Sequence, residues 1–332
     1  MTVVALVIAA AAVVAIAGAY GFSRFGHAWT NLHGGWLALT ILAQALAVAA
    51  YVPAYRAAAR VQGGPRLRLP LVARVVTAGF APYRAAGGFA ADQRALRAIT
   101  GDKNAANVRV LGLGALEWAL LAPAACVAAV VLLATGDRHP MPSLLWPWAI
   151  AVPVGFAIGL SVATPARRER LMAGGGSWRE GLARALNAVE FLRVFAREIA
   201  SCWSAWLGMG LYWALDIASF YGASRFIGMQ LNLGEVILAY ATGYALTRRS
   251  MPLAGAGVTE ALMTFAVHWV GQPVAPALAV VVVYRVFNLA LPAVPALLAR
   301  PYVKPLLDAG ESGKTPARTQ RRRAAAPLGG RG

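Results

Sequence analysis

An acid and a base stand on neighbouring apolar stretches of this chain: Glu260 in MPLAGAGVTEALMTF and Arg285 in VVVVYRVFNLALP. An arginine in the middle of a membrane span costs about 2.5–3.5 kcal/mol on insertion scales, so Arg285 is expected to face the protein interior and to pair. Its guanidinium can grip a phosphate through two parallel hydrogen bonds, a geometry lysine lacks. Glu260 is the expected resting partner, which makes the pair a salt bridge that opens to admit an anionic headgroup. A fixed interhelical tie would use the same two residues, and Arg285→Lys separates the readings.

Other polar groups surround that pair in the sequence. Pro252 closes one apolar run, and Gly255 and Gly257 follow in a G-x-G spacing that serves either close helix packing or cradling of a headgroup by loop amides. Tyr284 adjoins Arg285, and Asp216 lies among Tyr212, Trp213 and Tyr221 as a second partner for a cationic headgroup or as a proton-coupling carboxylate. Asp216 and Glu117 both lie near enough to span ends to reach an interface instead. Arg74 and Arg84, with Asp92 and Arg94, form a first-half cluster suited to collecting phosphate at the cytoplasmic entrance. His268 reads as an interfacial histidine with a local partner.

The elements that hold these residues must lie in lipid. With 59% hydrophobic and 13% charged residues over 332 positions, the chain is too apolar for a soluble domain. Runs long enough to span occur near 2–22, 36–54, 108–135, 144–164, 201–221, 233–247, 256–272 and 277–298, the sixth and seventh being short. The expected fold class is therefore an all-α polytopic membrane protein of about eight transmembrane helices. Two re-entrant segments are added near 69–91 and 249–260, where Pro and Gly interrupt apolar sequence.

The net charge of +18 is distributed on one side of that topology. Of 31 Lys and Arg, 27 fall in loops assigned to one face and only Arg24, Arg138 and Arg225 in the opposite loops. The positive-inside rule then places both termini in the cytoplasm, and Ala- and Arg-rich usage points to a bacterial inner membrane. Anionic lipid is the expected partner of the basic face; nucleic acid is not, because no folded reader domain accompanies the charge. Residues 1–299 form the membrane domain and 300–332 a basic, disordered cytoplasmic tail. Association into a homo-oligomer is left open.

Two further features concern organisation. SWREGLARALNAVEFLRVFAREIA, over 177–200, has apolar residues at three- and four-residue steps and predicts an amphipathic helix on the cytoplasmic interface. Gly79-Phe80, Pro82, Gly87-Gly88 and Asp92 are echoed by Gly243-Tyr244, Pro252, Gly255, Gly257 and Glu260, and on the eight-span topology such a repeat is parallel. The first apolar run lacks the basic leader of a signal peptide and is read as a span. Cys126 and Cys202 read as packing residues.

Pro252, then Gly255-Ala256-Gly257-Val258-Thr259-Glu260, an apolar span, Gly271 and Tyr284-Arg285 together resemble the lysylphosphatidylglycerol synthase transmembrane region, or flippase-like domain family. Arg74, Gly79-Phe80 and Gly87-Gly88 are similar to that family's first-half pattern. Ala254 stands where the family's loop has its first glycine. The resemblance implies an integral membrane protein that moves a lipid or lipid-linked headgroup between leaflets, without the soluble aminoacyl-transferase domain of the best-known members. A membrane enzyme or accessory subunit acting on polyprenyl-linked sugars is the runner-up, and a non-transporting scaffold the third reading. The residues support no enzyme: no nucleophile triad, metal spacing or phosphate-binding P-loop is legible, and no cofactor is expected.

Overall fold

A computed structural model describes residues 2–80, 87–136, 140–164, 166, 169–170, 177–244 and 251–312. Among these residues no strand occurs, and every apolar run named above is helical. In chain order the helices are α1 (Thr2–Tyr20), α2 (Phe22–His27), α3 (Gly35–Arg60), α4 (Leu69–Gly79), α5 (Gly88–Thr100), α6 (Lys103–Thr135) and α7 (Pro142–Val162). They continue with α8 (Ser177–Arg197), α9 (Ile199–Phe226), α10 (Leu233–Tyr244), α11 (Val258–Trp269) and α12 (Val274–Ser312). Four of them, α3, α6, α7 and α12, are long and apolar enough to cross a membrane.

Helix lengths sort the rest. At 1.5 Å per residue, the 12 residues of α10 and the 12 of α11 each reach only about 18 Å, well short of the roughly 30 Å hydrocarbon layer. The sixth and seventh runs are seen as α10 and α11, which pack on one another, and residues 245–250 between them lie outside the described residues. The α4 and α5 helices, 11 and 13 residues, form a similar pair broken after Gly79.

At the centre, α3 and α9 pack side by side over most of their length. Ser219 Oγ donates to the Thr40 carbonyl at 2.9 Å near one end, and a Cβ on Gly208 would sit 2.9 Å from the Ala50 carbonyl oxygen near the other, so the helices run antiparallel. Against this pair lies α12, which touches α4, α5, α11, α9 and α3. Its 39 residues extend about 58 Å, longer than a bilayer core requires. The helix runs on to Ser312, which corrects the disordered tail expected from 300: Arg300–Ser312 is helical and tied down by Arg94, whose guanidinium meets Glu311 at 3.1 Å. Residues 313–332 of that tail lie outside the described residues.

The 177–200 segment is a helix as expected, over Ser177–Arg197; Trp178 at its start is exposed, and the C-terminal half of its apolar face packs on protein. Leu186, Phe191 and Phe195 are buried, and the Phe191 ring fills the space a Cβ on Gly112 of α6 would need. Between α7 and α8, Arg193 donates to the carbonyls of Leu160 and Ala163, the unsatisfied groups at the end of α7.

Loops gather into two sets. His33 N–H bonds the Phe226 carbonyl at 2.9 Å, Met141 N–H bonds the Trp269 carbonyl at 2.8 Å, and Leu132 meets Gly234. At the other ends of the same helices, Arg109 donates to the carbonyls of Ala59 and Val61, Arg94 meets Glu311, and Arg74 stacks over Tyr302 at 4.3 Å. The α3, α6, α9 and α12 helices run from one set to the other.

Candidate functional site

Glu260 and Arg285 form the ion pair their spacing implied. Arg285 Nε donates to Glu260 Oε1 at 2.7 Å, with the two residues 3% and 1% exposed. The second carboxylate oxygen, Oε2, accepts the Gly257 backbone N–H at 2.6 Å, so Glu260 also caps the first turn of α11. Thr264 Oγ1 returns to the Glu260 carbonyl at 2.7 Å and holds that turn.

The break that presents Glu260 is a sharp one. Gly255 and Gly257 have φ of +67° and +83°, and Leu253 is held at +54°, a region that costs a side-chain-bearing residue energy. At Gly257 a Cβ would also fall 2.9 Å from Ile8 Cγ2, because α1 lies across the break. The glycines are therefore required by backbone turn and helix approach. Any headgroup reaching the Gly257 amide would have to displace Glu260 first.

Arg285 is anchored a second time, from within its own helix. Its Nη1 donates to Asn288 Oδ1 at 3.1 Å, and Tyr244 Oη donates to the same oxygen at 3.0 Å. The Asn288 amide nitrogen, thus turned the other way, donates to Tyr284 Oη at 3.2 Å. Tyr284 passes its own proton to Asp216 Oδ1 at 3.1 Å, while Tyr240 donates to Asp216 Oδ2. One chain of hydrogen bonds joins the α11 cap, α12, α10 and α9, all of it buried. Tyr240, Tyr244 and Tyr284 pack edge-on or tilted at 5.1–6.2 Å, closing an aromatic wall around it.

A third buried carboxylate, Glu117, is held by residues of α3 and α9. Tyr51 Oη donates to Glu117 Oε1 at 2.6 Å and Trp213 Nε1 to the Glu117 carbonyl at 2.9 Å. Tyr51 in turn packs on Phe80 and on Tyr212 at about the 5 Å expected of edge contacts. Both Glu117 and Asp216 are buried, 7% and 0% exposed.

Of the residues singled out from the sequence, Arg285, Glu260, Gly257, Tyr284 and Asp216 meet in this assembly, with Gly255 two residues away on the same break. Arg74 does not join them: its partner Tyr302 lies 17 residues beyond Arg285 on α12, about 25 Å along the axis. Arg84 lies outside the described residues. Asn288, Tyr240, Tyr244 and Tyr51 were missed. Their signal was the four-residue spacing of 240 with 244 and of 284 with 288, which sets each pair on one helix face. His268 Nδ1 lies 2.7 Å from the Gln272 carbonyl, the local partner expected of it.

Compared with known proteins, the chain matches no family model and no curated sequence.

Proposed function

We propose that the chain is a membrane translocator that moves a phospholipid or lipid-linked headgroup between leaflets, with Arg285 recognising the anionic group and Glu260 as its resting counter-ion. One observation carries the reading. A permanent cation sits about 17 Å along α12 from Val274, near the middle of a bilayer-length stretch, and its acid partner simultaneously closes a break between two short helices. Opening that one carboxylate would free both a guanidinium and a loop amide, two groups that bind phosphate. The resemblance to the flippase-like domain family rests on the same residues.

We infer also that the two halves are related by inversion, a change from the parallel relation of the eight-span topology. In support, α3, α4, α5 and α6 correspond to α9, α10, α11 and α12, and packing partners exchange accordingly: α4 lies on α12 as α10 lies on α6, and α5 on α6 as α11 on α12. The α4–α5 pair starts and ends at the loop set holding Arg109, whereas the α10–α11 pair starts and ends at the set holding His33. Two hairpins entering from opposite faces, with Phe80 and Tyr244 at their inner ends, suit alternating access to a site between them.

Reconstitution tests the reading. Purified protein in vesicles should exchange a labelled anionic phospholipid between leaflets, and Arg285→Lys should fold but lose at least about tenfold of that rate, since lysine keeps the charge without the fork. Full exchange by Arg285→Lys would reduce the pair to a structural tie. Release or transfer of sugar from a polyprenyl carrier would favour the enzyme reading, and neither activity would leave a scaffold.

A further inference from the structure

Asp216 does not touch the anion site, yet it is wired to it. We propose that Asp216 binds the coupling proton and that this proton loosens Arg285 by reversing the hydrogen bonds between them. The proposal rests on the translocator reading for its role in transport, though not for the existence of the proton site.

The direction of each bond is forced by chemistry. Arg285 can only donate, so Asn288 must turn its oxygen to Arg285 and its nitrogen to Tyr284. Tyr284 Oη accepts from that nitrogen and therefore spends its proton on Asp216 Oδ1. A proton added to Oδ1 turns that oxygen into a donor facing another donor. In the proposed switch Tyr284 Oη comes to accept from Asp216 Oδ1 and sends its own proton towards Asn288. Asn288 then has to present its oxygen to Tyr284, and the amide turns over. After that half-turn the amide nitrogen faces Arg285 Nη1 and Tyr244 Oη, donor against donor, and the guanidinium loses its Asn288 anchor while keeping Glu260. No bond other than O–H is made or broken, and the proton stays on Asp216.

The surroundings suit a proton site. Facing Asp216 are Tyr240 from α10 and Tyr284 from α12, with Asn288 one link further and Tyr244 and Arg285 beyond it. From α3 and α6, Tyr51 and Glu117 meet the neighbouring Tyr212–Trp213 turn of α9, while α8 reaches α9 near Trp206 at the other end. By the antiparallel register of Ser219 with Thr40, Gln44 of α3 stands level with Asp216. Its side chain is fully buried, and both its amide atoms have no hydrogen-bond partner among the described residues.

The test separates proton binding from transport. In purified wild-type protein, an infrared difference spectrum between acidic and alkaline pH should show a carboxylic-acid band that Asp216→Asn abolishes. Tyr284→Phe, which keeps the ring, should keep that band and lose the accompanying Asn288 amide change. In vesicles, an imposed pH gradient should change wild-type lipid exchange by about tenfold or more, the equivalent of one charge-assisted hydrogen bond. Asn288→Ala and Tyr284→Phe, whatever their exchange rate at equal pH, should show no change in that rate when the gradient is imposed. A band that survives Asp216→Asn, or a gradient response intact in Tyr284→Phe and Asn288→Ala, overturns the proposal. So does a response driven by sodium at constant pH. The band and its coupled amide change without any lipid exchange would instead sink the translocator reading and leave the proton site standing.

Discussion

Glu260 serves two partners at once, and that divides the cost of losing it. Glu260→Gln keeps an oxygen for the Gly257 amide and removes only the charge, leaving Arg285 buried without its counter-ion. Breaking one side of a buried pair costs about 3–5 kcal/mol, whereas replacing both partners with apolar residues of similar volume is often close to neutral. Thermal unfolding in detergent should therefore show Glu260→Gln strongly destabilised and the double variant Glu260→Gln, Arg285→Met partly restored. A loss in the double variant equal to the sum of the losses in Glu260→Gln and Arg285→Met would show that the 2.7 Å contact contributes no coupling. The pair was legible in the sequence because charges are rare in apolar runs. The relay was not, since tyrosine and asparagine in a helix announce no partner, and only the fold sets Tyr240 against Tyr284 and Tyr244 against Asn288 across α10 and α12.

The short helices depend on close backbone approach. At Gly243 a Cβ would lie 2.5 Å from the Met263 Cα, so α10 and α11 meet with nothing between them. Gly243→Val must push the arms apart, at a cost of about 1–3 kcal/mol or more. Because Tyr244 is the next residue, the same substitution should displace its hydroxyl from Asn288. Lowered thermal stability together with lost lipid exchange is the expected outcome, and an unaffected melting temperature would mean that the arms are not packed as described. The sequence showed Pro252 and the paired glycines as a break but not the depth of the arms on either side, because hydropathy counts apolar residues without showing where a helix ends in space. The helix predicted over 177–200 sets Phe191 against Gly112 of α6 and leaves Trp178 exposed, a division of the apolar stripe that its period alone does not show.

At the scale of the whole molecule, charge and connectivity meet in the two loop sets. The set tied by Arg109, Arg94 and Arg193 carries the basic face, and the opposite set has Arg225 stacked on Trp36 at 5.4 Å and on Tyr221 at 5.9 Å. If each set lies on one side of the membrane, the positive-inside rule makes the arginine-rich set cytoplasmic. Single cysteines at Asn31, Gln230 and Lys103, all exposed positions, test this after Cys126 and Cys202 are replaced by alanine. A membrane-impermeant maleimide added to intact cells should label Asn31→Cys and Gln230→Cys, and Lys103→Cys only once the membrane is opened. Labelling of Asn31→Cys and Gln230→Cys from different sides would break the pairing of His33 with Phe226 as a shared end and with it the inverted hairpins. Labelling of Lys103→Cys alone in intact cells would keep the architecture and turn it over, so that the guanidinium of Arg285 would be approached first from the opposite leaflet.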